Sequence, residues 1–333
     1  MRKFNIHLKA LAACGILLLT AAGCSRDKDV QPGKDNNRIA QVLADNFNLS
    51  VMNTVVSRTY LRNDLNTPGP FTVFAPSDDA FAKAGYTNQL SVLSAPAALI
   101  GAIGAYHTME GNYDLSKMPF LFNQEITSRG GKLFVTRWVK DKDTVLTING
   151  SRLLASSIKA SNGQVQVIDR MLQPYLYETI GDAIAAESSL TLFWQAIQRA
   201  GLVELLQGKS PLTVYAPSNT AMVSKGYATV EAINAAPVAE IAVFVKYHMV
   251  TDRRFVNDYI LTTATGKTTT TQRMLDNNSV TVNLIPNPQQ PGAFTGIRLK
   301  GTGNTADVNL FKQDVIAGNG VLHIVDNTLR ITQ

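Results

Sequence analysis

Two Tyr-His pairs, Tyr106-His107 and Tyr247-His248, are the residues of this chain whose types best suit chemistry or contact. An imidazole with a free nitrogen can move a proton or hold a metal, whereas one with both nitrogens bonded to the main chain can do neither. Each pair closes an apolar helical stretch, Leu99 to Tyr106 or Ile241 to Tyr247, and so reads first as a packed histidine satisfied by backbone carbonyls. Asp78-Asp79 offers adjacent carboxylates for acid-base or metal work, but it follows Pro76-Ser77 at the start of a helical pattern, where capping needs only an oxygen acceptor. Asp169 and Asp326 come just after β-prone runs and read as acceptors for turn amides. Beyond residue 24 the only histidines are His107, His248 and His323, with no close pair and no further cysteine, so no metal centre is expected. The chain has no G-x-S-x-G elbow, no phosphate-cradling glycine loop and no dinucleotide fingerprint; neither a catalytic residue nor a cofactor is expected.

The elements that must position these residues occur twice. Thr72-Val73-Phe74-Ala75-Pro76-Ser77 returns 141 residues later as Thr213-Val214-Tyr215-Ala216-Pro217-Ser218. At the same spacing Ile39 answers Ile180, Pro70 answers Pro211, Gly85-Tyr86 answers Gly226-Tyr227, and the two Tyr-His pairs answer each other. The later block from Asn162 to Asp169 returns as Asn319 to Asp326 at a wider spacing, so the second repeat holds sixteen extra residues after its Tyr-His pair. Repeats of this length have the size of independent domains, with a join near Gln173-Pro174 short enough to keep them in contact. Asn219 and Thr220 stand where the first repeat has Asp78 and Asp79, which fits capping better than catalysis.

Within each repeat, helices come first. Ile39, Val42, Leu43, Phe47, Val51, Val55 and Val56, like Ile180, Ile184, Phe193 and Ile197, recur at three- and four-residue steps. Phe71 to Ala75 reads as a strand stopped by Pro76 and turning into a helix capped at Ser77-Asp78. Later the period becomes two, over Leu133 to Val139, Thr144 to Ile148 and Val165 to Ile168, with Asn149-Gly150 as a tight turn; Val280 to Leu284 and Val321 to Val325 correspond. The fold class is therefore α+β, helices first and mostly antiparallel strands later. The extra residues are expected around Ile285 to Gly292, rich in proline, and the run Thr262 to Thr271 as a polar strand able to face a glycan.

With 45% apolar and 17% charged residues the chain can build such cores, and no apolar run reaches the ~20 residues of a spanning helix. The formal charge of +6 gives little support to nucleic-acid binding, because half of it sits in Arg2, Lys3 and Lys9 near the N-terminus. There, Arg2 and Lys3 precede an apolar run from Ala10 to Ala22, the pattern of a secretory signal. Leu19-Thr20-Ala21-Ala22-Gly23-Cys24 resembles the lipobox of bacterial lipoproteins, which implies cleavage before Cys24 and acylation of its thiol. The other cysteine, Cys14, would leave with the signal, so no internal disulfide can form. Residues 25 to 37 are polar and free of aromatics, a tether that spans roughly 40 Å at ~3.3 Å per residue. The expected layout is signal 1–23, tether 24–37, and domains 38–173 and 174–333.

Thr-Val-Phe-Ala-Pro-Ser-Asp-x-Ala-Phe at 72 to 81, the Tyr-His pair, and Asn-Gly ending in Asp near the last strand resemble the fasciclin (FAS1) domain, and all three recur in the second repeat. The departures are Asn219-Thr220-Ala221-Met222 for Asp78-Asp79-Ala80-Phe81, and Gln164 and Gln166 where the family shows a hydrophobic residue and a histidine, kept here as His323. The resemblance implies, in each domain, a wedge of about seven mostly antiparallel strands flanked by helices. It also implies a non-enzymatic role in cell adhesion or extracellular binding, with Tyr106, His107, Tyr247 and His248 as candidate binding residues, while the lipobox resemblance gives Cys24 as the lipid attachment. The partners so implied are a glycan, extracellular matrix or a surface protein, met at the outer membrane on the cell surface or facing the periplasm. Ser25, in place of the aspartate that holds some lipoproteins at the inner membrane, agrees with that location. A different reading is an accessory subunit of an outer-membrane complex that takes up or degrades polysaccharide.

Overall fold

The computed structural model describes residues 37–155 and 157–332; the signal, Cys24 and nearly all of the tether lie outside them. From Asn36 onward the chain forms a single compact unit that contains both repeats.

The first repeat contains strands β1 (Phe71–Pro76), β2 (Thr108–Glu110), β3 (Gln124–Ser128), β4 (Gly131–Lys140), β5 (Asp143–Ile148), β6 (Ser151–Arg152), β7 (Ile158–Ala160) and β8 (Gly163–Ile168). They form two sheets, in the orders β2-β1-β8-β7 and β3-β4-β5-β6. The second repeat contains β9 (Leu212–Pro217), β10 (Met249–Val250), β11 (Thr269–Arg273), β12 (Ser279–Pro286), β13 (Phe294–Gly301), β14 (Val308–Ala317) and β15 (Gly320–Val325). These make one sheet, in the order β10-β9-β15-β14-β13-β12-β11. The difference lies in one strand. β14 runs unbroken through a bulge and pairs with both β13 and β15, whereas its counterpart in the first repeat is cut between Arg152 and Ile158, leaving a lone bridge from Leu153 to Ile168. Most ladders are antiparallel, but the central pairs β1/β8 and β9/β15 run parallel.

β1 and β9 are buried along their whole length and divide each repeat into two cores. Phe71, Val73 and Ala75 face a layer of helices that includes Ser50–Arg58 and Ala97–Tyr106, while Phe74 faces Leu133, Val135 and Ile148 of the second sheet. Leu212, Val214 and Ala216 face the corresponding helices, and Tyr215 turns the other way. After each central strand a serine opens the next helix: Ser77 accepts from the Ala80 amide and Ser218 from the Ala221 amide, each at 3.2 Å.

The extra residues of the second repeat are spread more widely than the proline-rich loop at 287–293. A full helix, Val256–Thr262, stands where the first repeat has only the short turn Leu115–Lys117, and residues 302–307 join β13 to β14 where Asn149-Gly150 suffices in the first repeat. Part of the Thr-rich run forms β11, the edge strand of the seven-stranded sheet, with Thr269 and Thr271 exposed.

Candidate functional site

Both Tyr-His pairs sit at the junction between a helix and a core, with almost no exposed surface. His107 donates from Nδ1 to the Ile103 carbonyl at 2.8 Å and accepts at Nε2 from the Leu172 amide at 3.0 Å. His248 repeats the arrangement with Phe244 O at 2.8 Å and Leu329 N at 2.9 Å. Because an amide can only donate, Nε2 must be the bare nitrogen and the proton is held at Nδ1. Burial pushes both imidazoles down to about 4, so they are neutral over the physiological range. Tyr106 donates to the Lys132 carbonyl and accepts from Asn149 Nδ2, both at 2.8 Å; Tyr247 donates to the Ser279 carbonyl at 3.0 Å. These four side chains fasten the helices Ala97–Tyr106 and Val238–Lys246 to the sheets and spend their polar atoms inside the fold.

The carboxylates also hold backbone. Asp78 accepts from the Val51 amide at 2.9 Å and from Ser50 Oγ at 2.7 Å, so it caps the helix Ser50–Arg58 rather than its own, and Asn219 does the same for the helix Thr191–Arg199 through the Leu192 amide at 3.0 Å. Asp169 and Asp326 accept from the amides of Arg152 and Asn309, each at 2.8 Å.

The most concentrated chemistry lies where the two repeats meet. One face of β4 presents Phe134, Thr136 and Lys140 to the second repeat. The Arg253 guanidinium stacks 3.6 Å from the centre of the Phe134 ring, Thr136 Oγ1 donates to Asp258, and Lys140 donates to the Thr263 carbonyl. Asp258 is fully buried; it accepts from Asn123 Nδ2 and from the Phe255 amide, both at 2.9 Å, and burial pushes its carboxyl up to about 7. Alongside, Arg170 of the first repeat pairs with Asp314 at 2.6 Å, and Asp314 also accepts from the Val256 amide at 2.8 Å. Phe134 of the first repeat packs with Phe255, Ile316 and Val321 of the second in a small shared core. The turn at Gly150 touches it too, since a Cβ there would lie 2.8 Å from that of Phe255. His323 supports the seam from within, accepting at Nδ1 from the Asp314 amide at 3.2 Å, donating from Nε2 to the Arg254 carbonyl at 3.0 Å, and stacking on Tyr215.

A groove of about 650 Å³ opens along this seam, with Phe122, Asn123 and Lys132 from the first repeat and Arg253, Asp252 and Lys209 from the second in its wall. None of these residues carries a motif. The one signal that could have found them is difference: Arg253 and Asp258 fall in the stretch between the second Tyr-His pair and β11, where the repeats diverge in length. Among the described residues no cluster of three or more His, Cys, Asp or Glu is arranged to hold a metal.

Two α+β units, each built on a parallel central strand pair and fused along a polar seam, define the molecule as a tandem-domain protein. The fasciclin domain model matches it twice, at residues 47–174 and 188–331, and the chain belongs to the fasciclin family. It is similar to human periostin, at 27% identity over 81% of this chain and 29% of periostin, and to the ig-h3 protein of Oryctolagus cuniculus, at 23% over 95% of this chain and 44% of that protein. The protein sll1483 of Synechocystis is 30% identical over 41% of this chain and 73% of its own length. The chain thus spans less than half the length of periostin and of ig-h3. Among solved structures, a FAS1 domain pair from the insect cell adhesion molecule fasciclin I overlaps 85% of this chain and 97% of its own, with a TM-score of 0.39 and 14% identity.

Proposed function

We propose that this chain is a non-enzymatic binding protein of the cell surface, whose two domains, 38–173 and 174–333, present one composite surface to a glycan, matrix or surface protein. The observation that carries this reading is the seam. Arg170, Asp314 and Asp258 tie the repeats together through partly buried polar contacts, so a partner meets a surface drawn from both domains with little ordering left to do. Family membership agrees, fasciclin I being described as a cell adhesion molecule. Acylation at Cys24 and the tether behind it supply attachment, two or three acyl chains at ~0.8 kcal/mol per buried methylene being ample for stable anchoring. No helix among the described residues is long and apolar enough to cross a membrane.

The test is protease shaving of intact cells followed by fractionation, for the wild type and Cys24→Ala. Wild-type protein found with the outer membrane and shaved from whole cells, with the variant released, supports the reading. Wild-type protein that is protected until the envelope is broken overturns surface display.

A further inference from the structure

Arg253 is 5% exposed and has no ion-pair partner among the described residues. Its guanidinium has five N–H donors on a rigid plane. Three are used on backbone carbonyls: Nη1 on Gly320 at 3.0 Å and on Ala317 at 3.4 Å, and Nη2 on Gly318 at 3.1 Å. One N–H of Nη2 and the adjacent Nε–H remain. Nε of Arg253 makes no hydrogen bond among the described residues, and Arg253 lines the groove. Phe134 holds the plane from one side and the carbonyls hold its far edge, so the fork is fixed before anything binds. A preorganised pair of adjacent guanidinium donors fits the two oxygens of a carboxylate.

The rest of the groove narrows the class of ligand. Glu125 is neutralised by Lys132 at 3.0 Å and Asp252 by Arg254 at 3.1 Å, which leaves Arg253 and Lys209 against Glu178. The surplus is one positive charge. So small a surplus suits one carboxylate on a neutral scaffold; an acid-rich peptide or a phosphate would also meet Glu125, Glu178 and Asp252. The apolar wall at Phe122 and a volume of about 650 Å³ suit a few sugar rings.

We propose that the interdomain groove binds a uronic-acid-bearing glycan, with the sugar carboxylate held bidentately by the Nε and Nη2 donors of Arg253. The proposal rests on the binding reading above and narrows it to one ligand chemistry. The probe is an aldotriouronic acid, a neutral disaccharide bearing one glucuronate, titrated into the full chain while the Arg253 Nε–H resonance is followed by ¹H–¹⁵N NMR, with its uncharged methyl ester and a capped tripeptide carrying one central glutamate as comparisons. The acid should move that resonance while the ester leaves it in place. Arg253→Lys, which keeps the charge and loses the fork, should weaken binding about tenfold or more. Because the wild type is read directly, poor folding of the variant does not spoil the test. If the ester binds as well as the acid and the resonance stays fixed, the carboxylate site is wrong and the glycan reading stands. A tripeptide that binds as tightly as the trisaccharide overturns the glycan assignment while keeping the fork. Failure of every saccharide, charged or neutral, overturns glycan binding altogether.

Discussion

His107 and His248 each spend both ring nitrogens inside the fold, one on a carbonyl and one on an amide, so removing either ring leaves two buried backbone groups without partners as well as a cavity. His107→Ala is expected to cost about 3 kcal/mol in urea unfolding. The same burial sets a pH dependence. Both rings have folded values near 4, below the unfolded 6.5, so their stabilising contribution is complete above 6.5 and is lost as pH falls toward 4, by roughly 3 kcal/mol each. His323, also lowered by burial, acts in the same direction. Asp258 acts in the opposite one: its folded value of about 7 lies above the unfolded 3.8, so its contribution is complete below 3.8 and is lost as pH rises to 7. Three histidines outweigh one carboxyl, and the urea midpoint should drop between pH 6.5 and 4, less steeply in His107→Gln. At this scale the sequence was informative wherever a polar residue closed an apolar helix, which is why both Tyr-His pairs could be read as packed. It was silent on Arg253 and Asp258, because whether a charged side chain is buried depends on the other domain.

A helix in this fold is often stabilised by a residue distant in sequence. Asp78 caps Ser50–Arg58, and Asn219 does the same for Thr191–Arg199 without a charge. Asp78→Ala should therefore cost about 1–2 kcal/mol, Asp78→Asn only a few tenths, and Asp79→Ala, at an exposed position, close to nothing. Equilibrium unfolding of the three variants checks that order. The strand-to-helix turn at Phe71 to Lys83 and the hairpin at Asn149-Gly150 were legible because proline, serine, asparagine and glycine mark them locally. The helix Val256–Thr262 was not, since its Asn257 and Asp258 point inward and defeat a search for apolar period. The cut between β6 and β7 was equally hidden, as nothing in Leu153 to Ser157 forbids a strand.

In the whole molecule, the repeat in the sequence announces two domains, and the structure adds that they are not independent. The seam holds a half-buried ion pair, a buried carboxyl and a shared aromatic core, each with members from both sides. Removing one partner of a fully buried pair typically costs ~3–5 kcal/mol, because the other charge is left alone; for this half-buried pair the cost is smaller, and it falls on the coupling between domains. Arg170→Met strands Asp314 and loosens the turn at Gly150, whose carbonyl also accepts from Arg170. Scanning calorimetry of the full chain tests this most directly. If the repeats work as one binding body, the wild type unfolds in a single transition and Arg170→Met divides it into two, the lower one shifted furthest. Two separate transitions in the wild type, unmoved by Arg170→Met, would contradict the account and leave two domains that merely share a chain.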